Sequence, residues 1–224
     1  MSAKNSSNNN NRATGRAARA HQHAVHNAEQ MRTRLAREAA RIMAEGGTRD
    51  YATAKRKAAD RLASPDTKHL PSNEEIEQEL RRYLELFQGT KLPDRLAHLR
   101  GLALEAMRFL HRFEPRLVGP VLAGTATEYA VIELHVSADT PEQIGLWLAE
   151  NAIPYEQSER RVRFGGDRHE NLPTFRFTVN DVTVELCVFN HRSVRETPLS
   201  PVDGRPMKRA NAREVETLIS LGNM

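Results

Sequence analysis

Cysteine is almost missing from this chain of 224 residues. Cys187 stands alone, which excludes an intramolecular disulfide and any cysteine-built metal cluster. No run approaches the roughly 20 apolar residues of a membrane span, and the polar first residues lack the apolar stretch of a secretory leader. These absences lead us to expect a cytoplasmic chain with no membrane-embedded segment. Aromatic residues make up only 5% of the total, with one tryptophan, Trp147. Few rings are therefore at hand for stacking on nucleobases, and any nucleic-acid contact should run through phosphates. No Ser-His-Asp order, zinc-ligand spacing, dinucleotide fingerprint or internal repeat stands out.

Acidic residues are also missing before Glu29, and this makes the charge uneven. The formal net charge is +4, but residues 1–61 hold thirteen Lys and Arg against five acids, so that segment carries +8 and the remainder −4. A polyanion is expected to dock on the basic quarter. Arg41, Arg49, Lys55, Arg56, Lys57 and Arg61 are its candidate nucleic-acid-binding residues. Residues 1–28 form an Asn/Ser/Ala/Arg/His tract with scarcely a large apolar side chain. Such a tract cannot offset its ordering entropy by burial and is expected to be a disordered tail. His21, His23 and His26 belong to it and read as solvated side chains, because ligands without supporting groups hold metals weakly.

From Glu29 the pattern becomes helical. Met31, Leu35, Ala39 and Ile42 recur at helical spacing until Gly46-Gly47. Asp50 opens a second helix with Tyr51, Ala54, Ala58 and Leu62 on one stripe. Ser72 to Glu75 has the form of a capping box, followed by Ile76, Leu80, Tyr83, Leu84 and Phe87. Residues 29–90 are thus expected to form a helical module, too small to be very stable alone.

Residues 91–222 read as an α/β (α+β) domain with a mixed sheet. A helix over about Asp94 to Arg112 is followed by strand patterns in RLVGPVLAG, interrupted by Gly119-Pro120, and in EYAVIELHV. Thr140-Pro141 starts a helix that carries Trp147 inward. YEQSERRVRF and TFRFTVNDVTVELCVF supply the remaining strands, with Asn180-Asp181 as a two-residue hairpin turn. RFGGDRHENLP reads as a hairpin-like connection. SPVDGRPMKR, with Arg205, Lys208 and Arg209, reads as a surface connector to a last helix that begins at Asn211.

Period-two alternation places Tyr129, Val131, Glu133 and His135 on one face of their strand. Thr183, Glu185 and Cys187 share a face of theirs, so the two glutamates are expected to face one cleft. GTATEYAVIELH (Gly124 to His135), with VTVEL (Val182 to Leu186), resembles the polymerase-beta-like nucleotidyltransferase superfamily. The resemblance covers about residues 95–190 and implies a mixed-sheet nucleotidyltransferase-like domain. Gly124-Thr125 would match the family's nucleotide-binding Gly-Ser turn. Glu133 and Glu185 would match its second and third catalytic, metal-binding acids. Val131 stands where the first acid belongs, and valine cannot ligate a metal.

The implied protein is therefore a degenerate nucleotidyltransferase that binds a nucleotide or RNA rather than transferring nucleotidyl groups efficiently. One Mg²⁺ between Glu133 and Glu185 is the cofactor this implies. The competing expectation is a non-enzymatic adaptor that uses the basic helices to bind nucleic acid or protein. DYATAKRKAADRL, LPSNEEIE and PLSPVDGRPM also resemble a bacterial family, some members of which carry the label UDP-N-acetylmuramate–alanine ligase. Such a ligase needs a Gly-Thr-x-Gly-Lys-Thr/Ser loop after a strand, and Gly124-Thr125 is followed by no Gly-Lys.

Overall fold

Small residues at helical spacing let three helices approach closely at the N-terminal end. The computed structural model describes residues 6–63, 70–190 and 196–222. Helix α1 (Ser6–Gly46) buries Leu35, Ala39, Ile42 and Met43 against Ala54 and Ala58 of α2 (Tyr51–Arg61). Ile76, Leu80 and Leu84 of α3 (Asn73–Gln88) close this core. Asp50 caps α2 by accepting from the Thr53 N–H at 2.8 Å. Ser72 and Glu75 form the expected capping box, with bonds of 3.1 and 2.6 Å.

Two expectations for these helices need correction. α1 starts at Ser6, well upstream of Glu29, so residues 6–28 are helical rather than a disordered tail. Its Ala and Arg residues are good helix formers and extend the docked half of α1; His21, His23 and His26 are exposed on it. Residues 1–5 of the expected tail lie outside the described residues. Phe87 does not join the core. It is 71% exposed beyond the last buried position, Leu84, and packs on the Tyr83 ring at 4.7 Å.

After α4 (Leu92–Phe109) the chain enters a five-stranded sheet of order β1-β2-β5-β4-β3. The strands are β1 (Arg116–Val118), β2 (Ile132–Ser137), β3 (Glu156–Arg163), β4 (His169–Val179) and β5 (Val182–Phe189). β2 and β5 run parallel and the other neighbours antiparallel, so the sheet is mixed. RLVGPVLAG is interrupted at Gly119-Pro120 as expected, but the chain does not resume as a strand beyond that point. Gly119 adopts φ +71, which breaks the strand, and Pro120 suits the first turn of a short helix, α5 (Gly119–Ala123). EYAVIELHV also begins its strand later, at Ile132, because Thr127 to Ala130 forms a turn.

Alternation decides which residues meet. Ile132, Leu134 and Val136 of β2 and Val184, Leu186 and Val188 of β5 enter a core with α4, α6 (Glu142–Glu150) and α7 (Ala212–Gly222). Trp147 packs at its margin against Phe109 and Phe113. Glu133, Glu185 and their same-face neighbours are left on the opposite side of the sheet. Asn180 and Asp181 both have positive φ, 47° and 62°, as the two-residue turn between β4 and β5 requires.

Candidate functional site

Parallel register sets Glu133 directly beside Glu185 on β2 and β5. Both are buried, 8% and 5% exposed, and two adjacent buried carboxylates repel unless cations compensate them. Three arginines do so. Arg160 of β3 reaches across the sheet, its Nη1 2.7 Å from Glu133 Oε2 and 3.2 Å from Glu185 Oε1. Arg176, the cross-strand partner of Glu185, places Nη2 2.6 Å from Glu185 Oε2. Arg49, from the connection between α1 and α2, lies 3.6 Å from Glu133 Oε1 and 3.4 Å from Glu185 Oε2.

All four carboxylate oxygens thus face a guanidinium. Burial alone would raise the Glu185 carboxyl, but the charges of Arg160, Arg176 and Arg49 outweigh it and hold it below the usual carboxylate range. Burial likewise opposes the charge on Arg160, and the two glutamates overcome that opposition and raise its pKa.

The next row on the same face is His135 beside Cys187. Burial, helped by the charges of Arg209 and Arg160, pushes the imidazole down to about 3, so it is neutral. It packs on the Phe189 ring at 4.7 Å. Burial pushes the Cys187 thiol up to about 12, which leaves it protonated and a poor nucleophile.

Gly124 and Thr125 stand at the C-terminal end of α5, with partners other than the carboxylate pair. Gly124 (φ +82) closes that helix, and the N–H groups of both residues donate to Pro120 O, at 2.9 and 3.0 Å. Thr125 Oγ1 donates to Glu77 Oε1 at 2.8 Å, and Tyr51 donates to the other Glu77 oxygen at 2.6 Å. The backbone N–H groups that would cradle a phosphate are directed into the fold here. The glycine that does meet the acids is Gly119, where a Cβ would lie 3.1 Å from the Glu133 carboxyl carbon.

Val131 lies just upstream of β2 and is half-buried. With Thr183 it lines an open cleft that also takes in Tyr129, Arg95 and His98, two strand positions from the glutamate pair. Among the described residues no group of three or more His, Cys, Asp and Glu could hold a metal ion. With a valine at the first acid position and the remaining carboxylates ion-paired, the residues present do not fit a two-ion centre.

Several of the basic candidates are engaged by acids of the fold. Arg41 pairs with Glu38 and Glu45 at 2.9 and 3.7 Å, Arg61 pairs with Glu38 at 3.0 Å, and Arg49 is drawn to the carboxylate pair. Lys55 is half-buried, and burial lowers its pKa. Arg56 and Lys57 are exposed. The Ser200–Arg209 connector folds into a turn, and Arg209 stacks over Phe189 at 5.1 Å.

Sequence reasoning missed Arg160, Arg176 and Gly119, and it assigned Arg49 to nucleic-acid binding rather than to the carboxylate pair. A signal existed for Arg176: it is as far before the Asn180-Asp181 turn as Glu185 is after it, which makes them cross-strand partners. Arg49 gave no such signal, since nothing in the local pattern ties residue 49 to residues 133 and 185.

Comparison with known proteins finds no family model, no curated protein and no solved structure that matches the chain. Among the described residues no helix is long and apolar enough to cross a membrane.

Proposed function

We propose that the chain is a nucleotidyltransferase-like protein in which arginines stand where metal ions would. It binds the phosphates of a nucleotide or an RNA end and does not transfer nucleotidyl groups efficiently. One observation carries the reading. Glu133 and Glu185 share a face in register, yet every oxygen of the pair faces Arg49, Arg160 or Arg176. Three guanidinium groups against two carboxylates leave one positive charge in excess.

The three arginine side chains are 35%, 36% and 44% exposed, so part of each planar fork faces solvent. Guanidinium N–H groups not used on the glutamates can donate to phosphate oxygens, and paired donors match that geometry. The glutamates hold the guanidinium groups in place. The cleft beside Val131 and Thr183 leaves room for the rest of a nucleotide. Transfer is disfavoured because no second acid flanks Glu133 to complete a metal pair.

Isothermal titration with the four nucleoside triphosphates, with and without Mg²⁺, tests this. Binding should persist in chelator, and Arg176→Ala should weaken it about tenfold, the loss of one charge-assisted contact. Robust Mg²⁺-dependent transfer that disappears in Glu133→Gln would overturn the reading, as would failure to bind any nucleotide.

The adaptor reading keeps one supporting observation: the acid-free stretch before Glu29 is helical from Ser6, and His21, His23 and His26 are exposed on it.

A further inference from the structure

The third guanidinium at the carboxylate pair comes from outside the sheet. Arg49 lies between α1 and α2, on a connection shaped at both ends. Gly47 (φ +63) sits so close to Tyr129 that a Cβ there would meet the ring at 3.0 Å, and Asp50 caps α2. Arg49 stands 3.4–3.6 Å from its two partners, whereas the sheet's own Arg160 and Arg176 come within 2.7 and 2.6 Å. It is therefore the most loosely held of the three.

The unit that carries Arg49 is itself joined to the sheet mainly through polar contacts. The three helices and the sheet bury separate apolar clusters. Across the seam run Thr125 to Glu77, Arg81 to Ala123 O at 3.3 Å, and the Asn73 amide to Pro201 O at 2.6 Å. Polar contacts of this kind exchange with water at little net cost.

We infer that docking of the three-helix unit controls the anion site, with Arg49 as the arginine it delivers. The inference rests on the reading that the site takes phosphate. With Arg49 withdrawn, Arg160 and Arg176 balance Glu133 and Glu185 and the site is neutral. With Arg49 in place the site carries one positive charge and attracts a phosphate. Linkage then works in both directions: docking raises phosphate affinity, and bound phosphate holds the unit down by the same factor.

Hydrogen–deuterium exchange on the full chain, with and without ATP in chelator, tests this together with titration of Arg49→Ala. ATP should slow exchange across residues 46–51 in the unaltered protein. Arg49→Ala should bind ATP about tenfold more weakly, a loss of about 1.4 kcal/mol, and ATP should no longer protect residues 46–51. Arg34→Ala, an exposed change on the same unit, should behave as the unaltered protein does. Two results overturn the inference alone: ATP binding as tight in Arg49→Ala as in the parent, or ATP that binds the parent without slowing exchange at residues 46–51. Should Arg49→Ala fail to fold, the exchange measurement on the parent still decides. A parent that binds no ATP overturns the phosphate reading, and this inference with it.

Discussion

Two carboxylates this deeply buried are tolerated side by side only because cations stand within reach of each oxygen, and the neighbouring imidazole stays neutral because it is buried, with the positive charges of Arg209 and Arg160 adding to that effect. Both conditions tie stability to pH with the same sign. The Glu185 pKa is lowered on folding, so its contribution is present above the ordinary carboxylate range and is lost as pH falls through its folded value. His135 acts earlier. Its folded value is about 3, whereas an unfolded histidine titrates near 6.5. Between those values the unfolded chain binds a proton that the folded chain refuses, so stability falls as pH falls. Going from about pH 7 to about pH 5.5, this one group should cost about 1 kcal/mol. Urea denaturation at the two pH values, on the parent and on His135→Gln, measures it. An equal loss in both proteins would show that His135 is not the source.

Among the elements, the short ones fix the site and the long ones carry the frame. α5 occupies five residues, yet Gly119 at its start lets the backbone pass over the Glu133 carboxylate. The β4–β5 hairpin sets Arg176 opposite Glu185 through its turn alone. In α3, Glu75 serves twice, closing the capping box with Ser72 and receiving Arg32 of α1 at 2.7 Å. Ser72→Ala removes the cap without touching that exposed ion pair. It should cost about 1 kcal/mol, read as a shift in the denaturation midpoint with an unchanged slope. A cost near zero would place the start of α3 under the control of its packing on α1.

Over the whole molecule, the basic excess divides into two parts. Downstream of Glu29 several arginines meet acids: Arg32 with Glu75, Arg37 with Glu79, Arg41 and Arg61 with Glu38. Upstream, Lys4, Arg12, Arg16 and Arg19 share a segment that contains no acid. Polyanion binding, in our reading, belongs to that segment more than to α2. Contact of four cations with single-stranded RNA should give a slope of log affinity against log salt of about −3. Deleting residues 1–28 should abolish the binding, which fluorescence anisotropy at several salt concentrations would report. Retention of the slope after the deletion would return the role to Arg56 and Lys57.

Local pattern determined a good deal of this protein. The alternation of β2 and β5 put Glu133 and Glu185 on the faces away from the core, because pleated strands offer only two sides. Glycine, Asp50 and the Ser72–Glu75 pair marked helix ends through backbone chemistry that acts within a few residues. Helical spacing from Met31 onward identified the docked half of α1 because burial leaves a period in the sequence. The half of α1 upstream of Glu29 has too few apolar residues to leave such a period, and low apolar content there does not signal a missing helix. Only the tertiary structure decided what compensates the carboxylates. With strand order β1-β2-β5-β4-β3, Arg160 reaches Glu185 two strands away and Glu133 three strands away, and the packing of the three helices brings in Arg49. The energy of a buried charge depends on whichever cation ends up beside it, and that is set by distances in space between residues far apart in the chain.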